Sequence, residues 1–274
     1  GATGRGRPAR RGEAGRLMAV VLLCSAGHAP GVTTTALGMA LAWPRPVLLV
    51  DADRTPTQSV LAGYLRGERP GHHGLGGLLQ VLRERRPFEQ VIDAETIQLP
   101  PILATHEPAT FLPGFPHPGV VGLFGGAWPD LMAALAGRDG DVLMDAGRIG
   151  VEGLPLPLVQ GADLVLVVSR TSLVSLAALR LYLPALKEAV GDDRIALALV
   201  GSSMPYGRAE VQQQFTTTIA ADLEHDPAGA AVLSDGAPPP RRFAGGAYFR
   251  GITLAARSIC GRLEATRELI GVRR

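Results

Sequence analysis

The sequence predicts an α/β fold in which helices flank a doubly wound, mostly parallel β-sheet. Short apolar runs typical of strands alternate with helical patterns along most of the chain. These strand-like runs are continuously apolar, which indicates that both faces of the sheet are buried under helices. With 274 residues, of which 46% are hydrophobic, the chain can bury a large core. We therefore expect residues 18–274 to form one domain.

The individual elements follow from local patterns. Short apolar runs bounded by Gly, Pro or acidic residues predict strands, whereas apolar residues spaced three and four apart predict helices. Strands are predicted at residues 19–24, 46–51, within 97–107, and at 120–124, 141–145, 163–169, 195–200 and 218–223. Helices are predicted at residues 33–42, 58–65, 74–83, 88–91, 128–136, 173–190, 209–215 and 248–270. After the strand within 97–107, a Pro- and Gly-rich loop is predicted as far as residue 118.

The overall charge and the cysteines exclude several classes of protein. The 27 basic and 25 acidic residues give a net charge of +2, which indicates no particular polyanionic partner. No apolar run reaches the roughly 18–20 residues of a membrane span, and residues 1–17 lack the apolar centre of a secretory signal. Cys24 and Cys260 have no metal or redox spacing. We expect a cytoplasmic protein.

Residues 1–17 form a basic tail that we expect to be disordered. It contains Gly, Ala and five arginines against a single acidic residue, Glu13, which gives a net charge of +4. The tail could contact DNA phosphates, or it could be a solvated leader, which is the interpretation we favour.

A phosphate-binding loop is predicted at residues 26–33. It follows the first strand and leads into a helix, which is the context that the pattern G-x-x-x-x-G-K-[ST] requires. In such a loop, backbone N–H groups and the helix N-terminus surround a phosphate. Gly31 and Thr33 match the pattern, but Val32 stands where the lysine is expected. The alternative is an inherited turn that binds only an ion or nothing.

Three aspartates end strands beside this loop. Asp51 and Asp53 end the second strand, and Asp145 ends the strand at 141–145. Since ligands bind beyond the carboxyl ends of parallel strands, these carboxylates could hold Mg²⁺ or orient a water molecule. A single strand-end Asp more often caps the next helix, but three beside one loop favour a functional site.

These motifs, in this order, resemble the deviant-Walker ATPases of the MinD/ParA type. Residues 74–79 look like the helix after the family's switch, residues 162–173 like its strand and helix after the Walker B acid, and residues 226–236 like its late nucleotide-base loop. The resemblance covers residues 18–265. It implies Thr33 as an Mg²⁺ ligand, Thr34 on the α-phosphate, Asp53 as the acid that orients water, and Asp145 as the Walker B acid.

The predicted site takes its members from these motifs. The predicted nucleotide-binding residues are Gly27, His28, Ala29, Pro30, Gly31, Val32, Thr33, Thr34, Asp226 and Pro227. The predicted Mg²⁺ residues are Thr33, Asp51 and Asp145. The predicted catalytic residues are Asp53 and Arg148. The cofactors that the resemblance implies are ATP or ADP with Mg²⁺.

The chain departs from the family at its cationic positions. The family's signature lysine, which reaches across the dimer, falls at Gly27, and the ordinary P-loop lysine falls at Val32. The only lysine of the chain, Lys187, lies in a predicted helix away from the loop. Gly201 or Ser202 replaces an asparagine, and Glu224 replaces a proline. Only an arginine could replace the lysines, and Arg54 and Arg148 each follow a strand-end Asp; pairing with neighbouring acids is their alternative role.

The resemblance implies a homodimeric scaffold that organises a cellular cargo in space, as in chromosome or plasmid partition, division-site placement, or polar assembly of a secretion or pilus system. Loss of both lysines predicts weak or absent ATP hydrolysis. The alternatives are an active ATPase that uses arginine, and a dethiobiotin-synthetase-like ligase, against which the missing lysine counts. A protein partner is expected. The last helix, with apolar residues at 252, 255, 259, 263 and 270, resembles a membrane-binding helix, but we expect it to pack on the core.

Overall fold

The computed structural model describes residues 18–68, 74–102 and 108–272, with the side chains of the last four of these excepted. The predicted disordered tail lies outside the described residues. Within them, eight strands form one sheet in the order β3-β4-β2-β5-β1-β6-β7-β8. Neighbouring strands are parallel except for the edge pair β3 and β4, which is antiparallel. The strands are β1 Val20–Ser25, β2 Val47–Asp51, β3 Ile97–Gln98, β4 Ala109–Leu112, β5 Asp141–Arg148, β6 Leu164–Arg170, β7 Ile195–Val200 and β8 Ile219–Leu223.

Helices cover both faces of this sheet, which confirms the predicted fold class. The α-helices are α1 Val32–Ala42, α2 Gly74–Arg83, α3 Trp128–Ala136, α4 Leu156–Gly161, α5 Leu173–Val190, α6 Arg208–Phe215, α7 Pro227–Ser234 and α8 Ala247–Val272. A π-helical turn, Val60–Tyr64, replaces the predicted helix at 58–65. Helices α1, α7 and α8 pack on one face, and α2 to α6 pack on the other.

A hydrophobic core lies on each face of the sheet, and successive side chains of the central strand β1 point alternately into one core and the other. Val21 and Leu23 pack on the side of α1 and α8, whereas Val20, Leu22 and Cys24 pack on the opposite side. Because side chains alternate across a strand, a run that is apolar throughout requires helices on both faces. This is why the sequence could predict the layers of the fold.

The predicted strand at residues 120–124 is wrong, because this segment forms 3₁₀ turns, Pro118–Val120 and Gly122–Ala127. Its apolar residues serve an aromatic cluster instead. The ring of Phe124 lies 5.4 Å from that of Phe115 and 4.8 Å from that of Trp128, measured between centroids. Packing of this large ring against its neighbours outweighs the strand preference of the valines.

Three further elements differ from the prediction. Strand β4 lies inside the predicted loop before residue 118, where a run of only four residues between prolines gave too short a signal. Helices α4 and α7 were not predicted. Both begin with a proline in the first turn, and their short apolar runs show too little periodicity to be distinguished from loops.

Helix α8 packs on the core, as predicted. Ile252, Ala255, Ile259 and Leu263 are all buried, whereas the side chain of residue 270 lies outside the described part. Among the described residues, no helix is long and apolar enough to cross a membrane.

Candidate functional site

The loop at residues 26–31 has the backbone of an anion-binding turn. Four of its residues have positive φ: Gly27 at 153°, His28 at 61°, Ala29 at 42° and Gly31 at 93°. Such left-handed residues turn successive N–H groups toward one concave side, which favours a bound anion. Gly31 directly precedes α1, so the positive end of the helix dipole also faces this concavity.

Thr33 and Thr34 lie in the first turn of α1. The Thr33 hydroxyl hydrogen-bonds to the carboxylate of Asp145, and Thr34 lines the cavities on either side of the loop. Val32 is only 7% exposed and packs in the core. Position 32, where the loop pattern predicts a lysine, therefore contributes packing and no charge.

The three aspartates predicted at strand ends come together, although β5 continues to Arg148, so that Asp145 lies within the strand instead of at its end. Asp51 and Asp145 lie directly opposite each other in the register of β2 and β5. The Gly147 N–H donates to Oδ1 of Asp145 at 2.9 Å, and the Asp53 N–H donates to Oδ1 of Asp51 at 3.2 Å. The sequence prediction that these three carboxylates share one site is consistent with this geometry.

Burial raises the pKa of all three carboxyl groups. Burial raises the pKa of Asp51, and the charge of Asp145 raises it further. Burial likewise raises the pKa of Asp145, which the Thr33 and Gly147 hydrogen bonds oppose. The pKa of Asp53 is raised by burial, with the Thr55 N–H and Arg54 opposing. No cationic side chain lowers the pKa of Asp51 or Asp145, and a divalent cation would supply that positive charge.

Close backbone packing fixes the position of Asp53. A Cβ atom at position 147 would lie 2.2 Å from Cγ of Asp53, and Gly147 has φ of +61°. Only glycine fits there, because both the left-handed backbone and the approach of the carboxylate exclude a side chain.

Arg148 projects beside the loop, from the strand next to β1. A Cβ atom at position 27 would lie 3.8 Å from Nη2 of Arg148. Among the described residues, Arg148 has neither an ion pair nor a side-chain hydrogen bond. Its guanidinium therefore lies unpaired next to the position where the family carries its signature lysine.

A cavity of about 490 Å³ opens over the loop. Arg148 is the only cationic side chain among the described residues that line it, and Asp53 lies on the same wall. Gly27 and His28 do not line this cavity, and Asp51 and Asp145 lie beneath it. The members of the predicted site that line it are Ala29, Pro30, Gly31, Val32, Thr33, Thr34, Asp53 and Arg148.

A second cavity, of about 290 Å³, lies on the other side of the loop. It shares Ala29, Pro30, Gly31 and Thr34 with the first, and the ends of β6, β7 and β8 complete it. Asp226 and Pro227, two of the predicted nucleotide-binding residues, line it. Asp226 also caps α7, since its Oδ1 accepts the Gly229 N–H at 2.9 Å.

Arg54 serves a structural role instead of the catalytic one considered for it. Its Nη2 donates to the carbonyl oxygens of Ile149 and Gly153, and its Nη1 lies 3.9 Å from a carboxylate oxygen of Glu152. It lines neither cavity, so Arg148 is the better candidate of the two.

Several wall residues were not predicted from the sequence. Arg170 and Tyr248 line the second cavity, and Thr55, Thr57 and Ser59 line the first. Arg170 ends β6, which neighbours β1 just as β5 does. The signal that could have identified it was an arginine at a strand end, as for Arg148.

Mg²⁺ fits this donor set. No group of three or more His, Cys, Asp or Glu side chains is spaced to hold a metal ion within the described residues. Mg²⁺ needs fewer protein ligands than that, because it keeps several waters and takes oxygens from a bound phosphate. Thr33 and Asp145 are the residues that would hold it.

The fold is similar to solved structures of MinD and ParA proteins. A ParA family ATPase from Chlorobium tepidum matches with a TM-score of 0.69 at 15% identity, covering 88% of this chain and 98% of its own. The MinC:MinD cell division protein complex of Aquifex aeolicus matches at 0.67 and 15% identity, with 89% and 96% covered. MinD of Pyrococcus horikoshii, complexed with Mg-ADP, matches at 0.64 and 16% identity, also with 89% and 96% covered.

No protein-family model matches the chain, and no curated protein matches it by sequence. At these identities, the structural likeness shows the fold. The eight-stranded, mostly parallel sheet and its flanking helices match the architecture of these proteins. The chain has the fold of the MinD/ParA P-loop NTPases.

Proposed function

We propose that the chain is a nucleotide-binding scaffold of the MinD/ParA type, which organises a cellular cargo in space and hydrolyses nucleotide weakly or not at all. One observation carries this proposal. The loop residues, Thr33 and Arg148, which has no partner among the described residues, line one cavity at the carboxyl ends of the strands, and Thr33 hydrogen-bonds to Asp145. This arrangement supplies a phosphate cradle, an Mg²⁺ site and one cation.

The loss of a cation should affect nucleotide affinity less than it affects the rate of hydrolysis. A charge-assisted hydrogen bond contributes about 1.5–3 kcal/mol, so a site with one cation in place of two can still bind. A cation that acts in the transition state of phosphoryl transfer is worth about 10³–10⁵ in rate. Arg148 lies near only one of the two lysine positions. Binding is therefore expected to survive better than hydrolysis.

The nucleotide and Mg²⁺ assignments agree with a neighbour that is complexed with Mg-ADP. In this chain, Thr33 and Asp145 would hold Mg²⁺, which would balance charge on the phosphates. Thr34 and the loop amides would hold the phosphates. Asp53 would orient a water, and Arg148 would donate to the terminal phosphate.

Isothermal titration tests the binding proposal. Mg²⁺-ADP and Mg²⁺-GDP are each titrated into the full chain, so that the result does not depend on the base. At least one should bind. If neither produces heat at millimolar concentration, the proposal is wrong.

An active ATPase remains the second candidate, because Arg148 lines the cavity and has no described partner. Phosphate release from Mg²⁺-ATP distinguishes the two. The scaffold predicts release close to background. Turnover that both Asp53→Ala and Arg148→Ala abolish would support the enzyme instead.

A homodimer and a protein partner are part of the proposal. Exposed apolar side chains follow the carboxyl ends of β5, β6 and β7, at the edge of the sheet where the site lies: Val151, Leu156, Leu173, Val174 and Met204. One neighbour is a complex of MinD with MinC, which supports a protein partner, and this exposed apolar edge is the surface that we propose for it. Light scattering with and without Mg²⁺-nucleotide, on the chain and on Val174→Asp, tests self-association.

A further inference from the structure

The second cavity has a wall of opposite charges. Arg170 lies at the end of β6, and Glu224 directly follows β8. Neither side chain has an ion pair or a side-chain hydrogen bond within the described part of the chain. Two complementary charges thus line one cavity without pairing with each other.

The carboxylate of Glu224 is an exposed acceptor on this wall with no partner among the described residues. Asp226, the other acid there, already accepts the Gly229 N–H as the cap of α7. Tyr248 stays a neutral phenol, because burial and Asp226 raise its pKa to about 12. The flat surfaces of Pro227 and Tyr248 lie on the same wall.

The described wall carries no Asn or Gln side chain. The residue after β7 is Gly201, where a Cβ atom would lie 2.9 Å from Cβ of His225. No amide can therefore be presented from that strand end. A side-chain amide is the group that reads the adjacent donor and acceptor of adenine.

Guanine matches what the wall presents. Its O6 and N7 are adjacent acceptors that an arginine contacts with two hydrogen bonds. Its N1–H and N2–H are adjacent donors, which one carboxylate can accept together. Adenine offers neither pair: its N6 amino group is a donor at the place of O6 and would oppose Arg170, and its N1 is an acceptor that would oppose the carboxylate of Glu224.

We propose that this cavity selects a guanine base, with Arg170 donating to its O6 and N7 and Glu224 accepting from its N1–H and N2–H. This inference rests on the proposed nucleotide-binding function and specifies its ligand. In this arrangement the phosphates lie over the shared residues Ala29, Pro30, Gly31 and Thr34, and the base lies beyond them toward β7 and β8.

Competitive titration tests the selection. Each correct two-bond contact discriminates against the wrong base by a factor of about ten to a hundred. Mg²⁺-GDP should therefore bind the full chain at least tenfold more tightly than Mg²⁺-ADP. Equal binding, or tighter binding of ADP, would overturn the selection while leaving the nucleotide-binding proposal intact. Absence of binding by both would overturn the two together.

Variants of the two charged residues sharpen the test. Glu224→Gln presents an amide, which complements the N1–H and the C2 carbonyl of xanthine, so it should lose GDP affinity and gain affinity for xanthosine diphosphate. Arg170→Ala should lose the preference for GDP over ADP. The matched controls are Glu188→Gln and Arg257→Ala, both exposed and away from the cavities.

Circular dichroism establishes that each variant is folded before it is titrated. If folded Glu224→Gln retains the preference for GDP and gains no affinity for the xanthine nucleotide, Glu224 does not read the base. That result overturns the proposal.

Discussion

At the scale of single residues, the site depends on carboxylates held close together and on one unpaired guanidinium. Asp51 and Asp145 lie opposite each other on neighbouring strands, and burial together with the charge of Asp145 disfavours the ionised form of Asp51. The sequence predicted this cluster because strand-end acids of a parallel sheet must meet at one edge. It could not distinguish Arg54 from Arg148, since both follow such an acid. The difference lies in the loop after β5, whose carbonyl groups bind Arg54.

Asp51→Asn should stabilise the metal-free protein at alkaline pH. The pKa of Asp51 is raised in the folded state, so the folded chain binds more protons than the unfolded one, and stability falls as the pH rises from about 4 through the raised pKa. The variant lacks this loss. The difference in free energy of unfolding between the variant and wild type should therefore increase by about 1–3 kcal/mol, in favour of the variant, when the pH is raised from 5 to 8.

Denaturant unfolding in EDTA at the two pH values measures this difference. Asp222→Asn, an exposed change on β8, controls for net charge. A gain that is the same at pH 5 and pH 8 would show that Asp51 is not held in its protonated form.

At the scale of elements, the turn at Val60–Tyr64 and helix α7 are joined by a contact between backbones. A Cβ atom at position 63 would lie 1.9 Å from the carbonyl oxygen of Ser234. This contact positions Val60 and Leu233 on the wall of the first cavity. The sequence could not reveal this contact, because a glycine such as Gly63 only indicates a less stable helix until the segment that packs against it is known.

Gly63→Ala should destabilise the fold by about 2 kcal/mol or more, since the added methyl group must displace backbone. Gly261→Ala is the matched control, because it is exposed on α8 with nothing within 4 Å of its Cβ position. The control should stabilise by about 0.5–1 kcal/mol. Thermal unfolding of both variants measures the contrast, and an equal response to the two changes would contradict the contact.

At the scale of the whole molecule, Asp141 connects parts of the chain that are distant in sequence. This buried carboxylate accepts the Ala19 N–H at 2.8 Å, Nε1–H of Trp43 at 2.7 Å and Nε–H of Arg45 at 2.9 Å. Arg45 in turn pairs with Glu264 on α8. The sequence predicted the layers and most elements from apolar runs, but not the strand order or this network, which depend on how distant segments pair.

Asp141→Ala should cost about 3–5 kcal/mol of folding free energy. It leaves the indole and backbone donors buried without an acceptor, and Arg45 without its main partner. Asp192→Ala, which removes an exposed partner of Lys187, should change stability by less than about 1 kcal/mol. Chemical denaturation of both variants tests this, and a loss at position 141 no larger than that at 192 would contradict the role of the network.

The most direct test of the account is the affinity of the Arg148→Ala variant for Mg²⁺-bound nucleoside diphosphate. Isothermal titration compares wild type, Arg148→Ala and the exposed control Arg257→Ala, using whichever of GDP and ADP binds wild type more tightly. Arg148 is the cation that lines the first cavity, so its loss should weaken binding about tenfold to a hundredfold, whereas the control should bind as wild type does. Unchanged affinity in Arg148→Ala would contradict the claim that this arginine replaces the missing lysine.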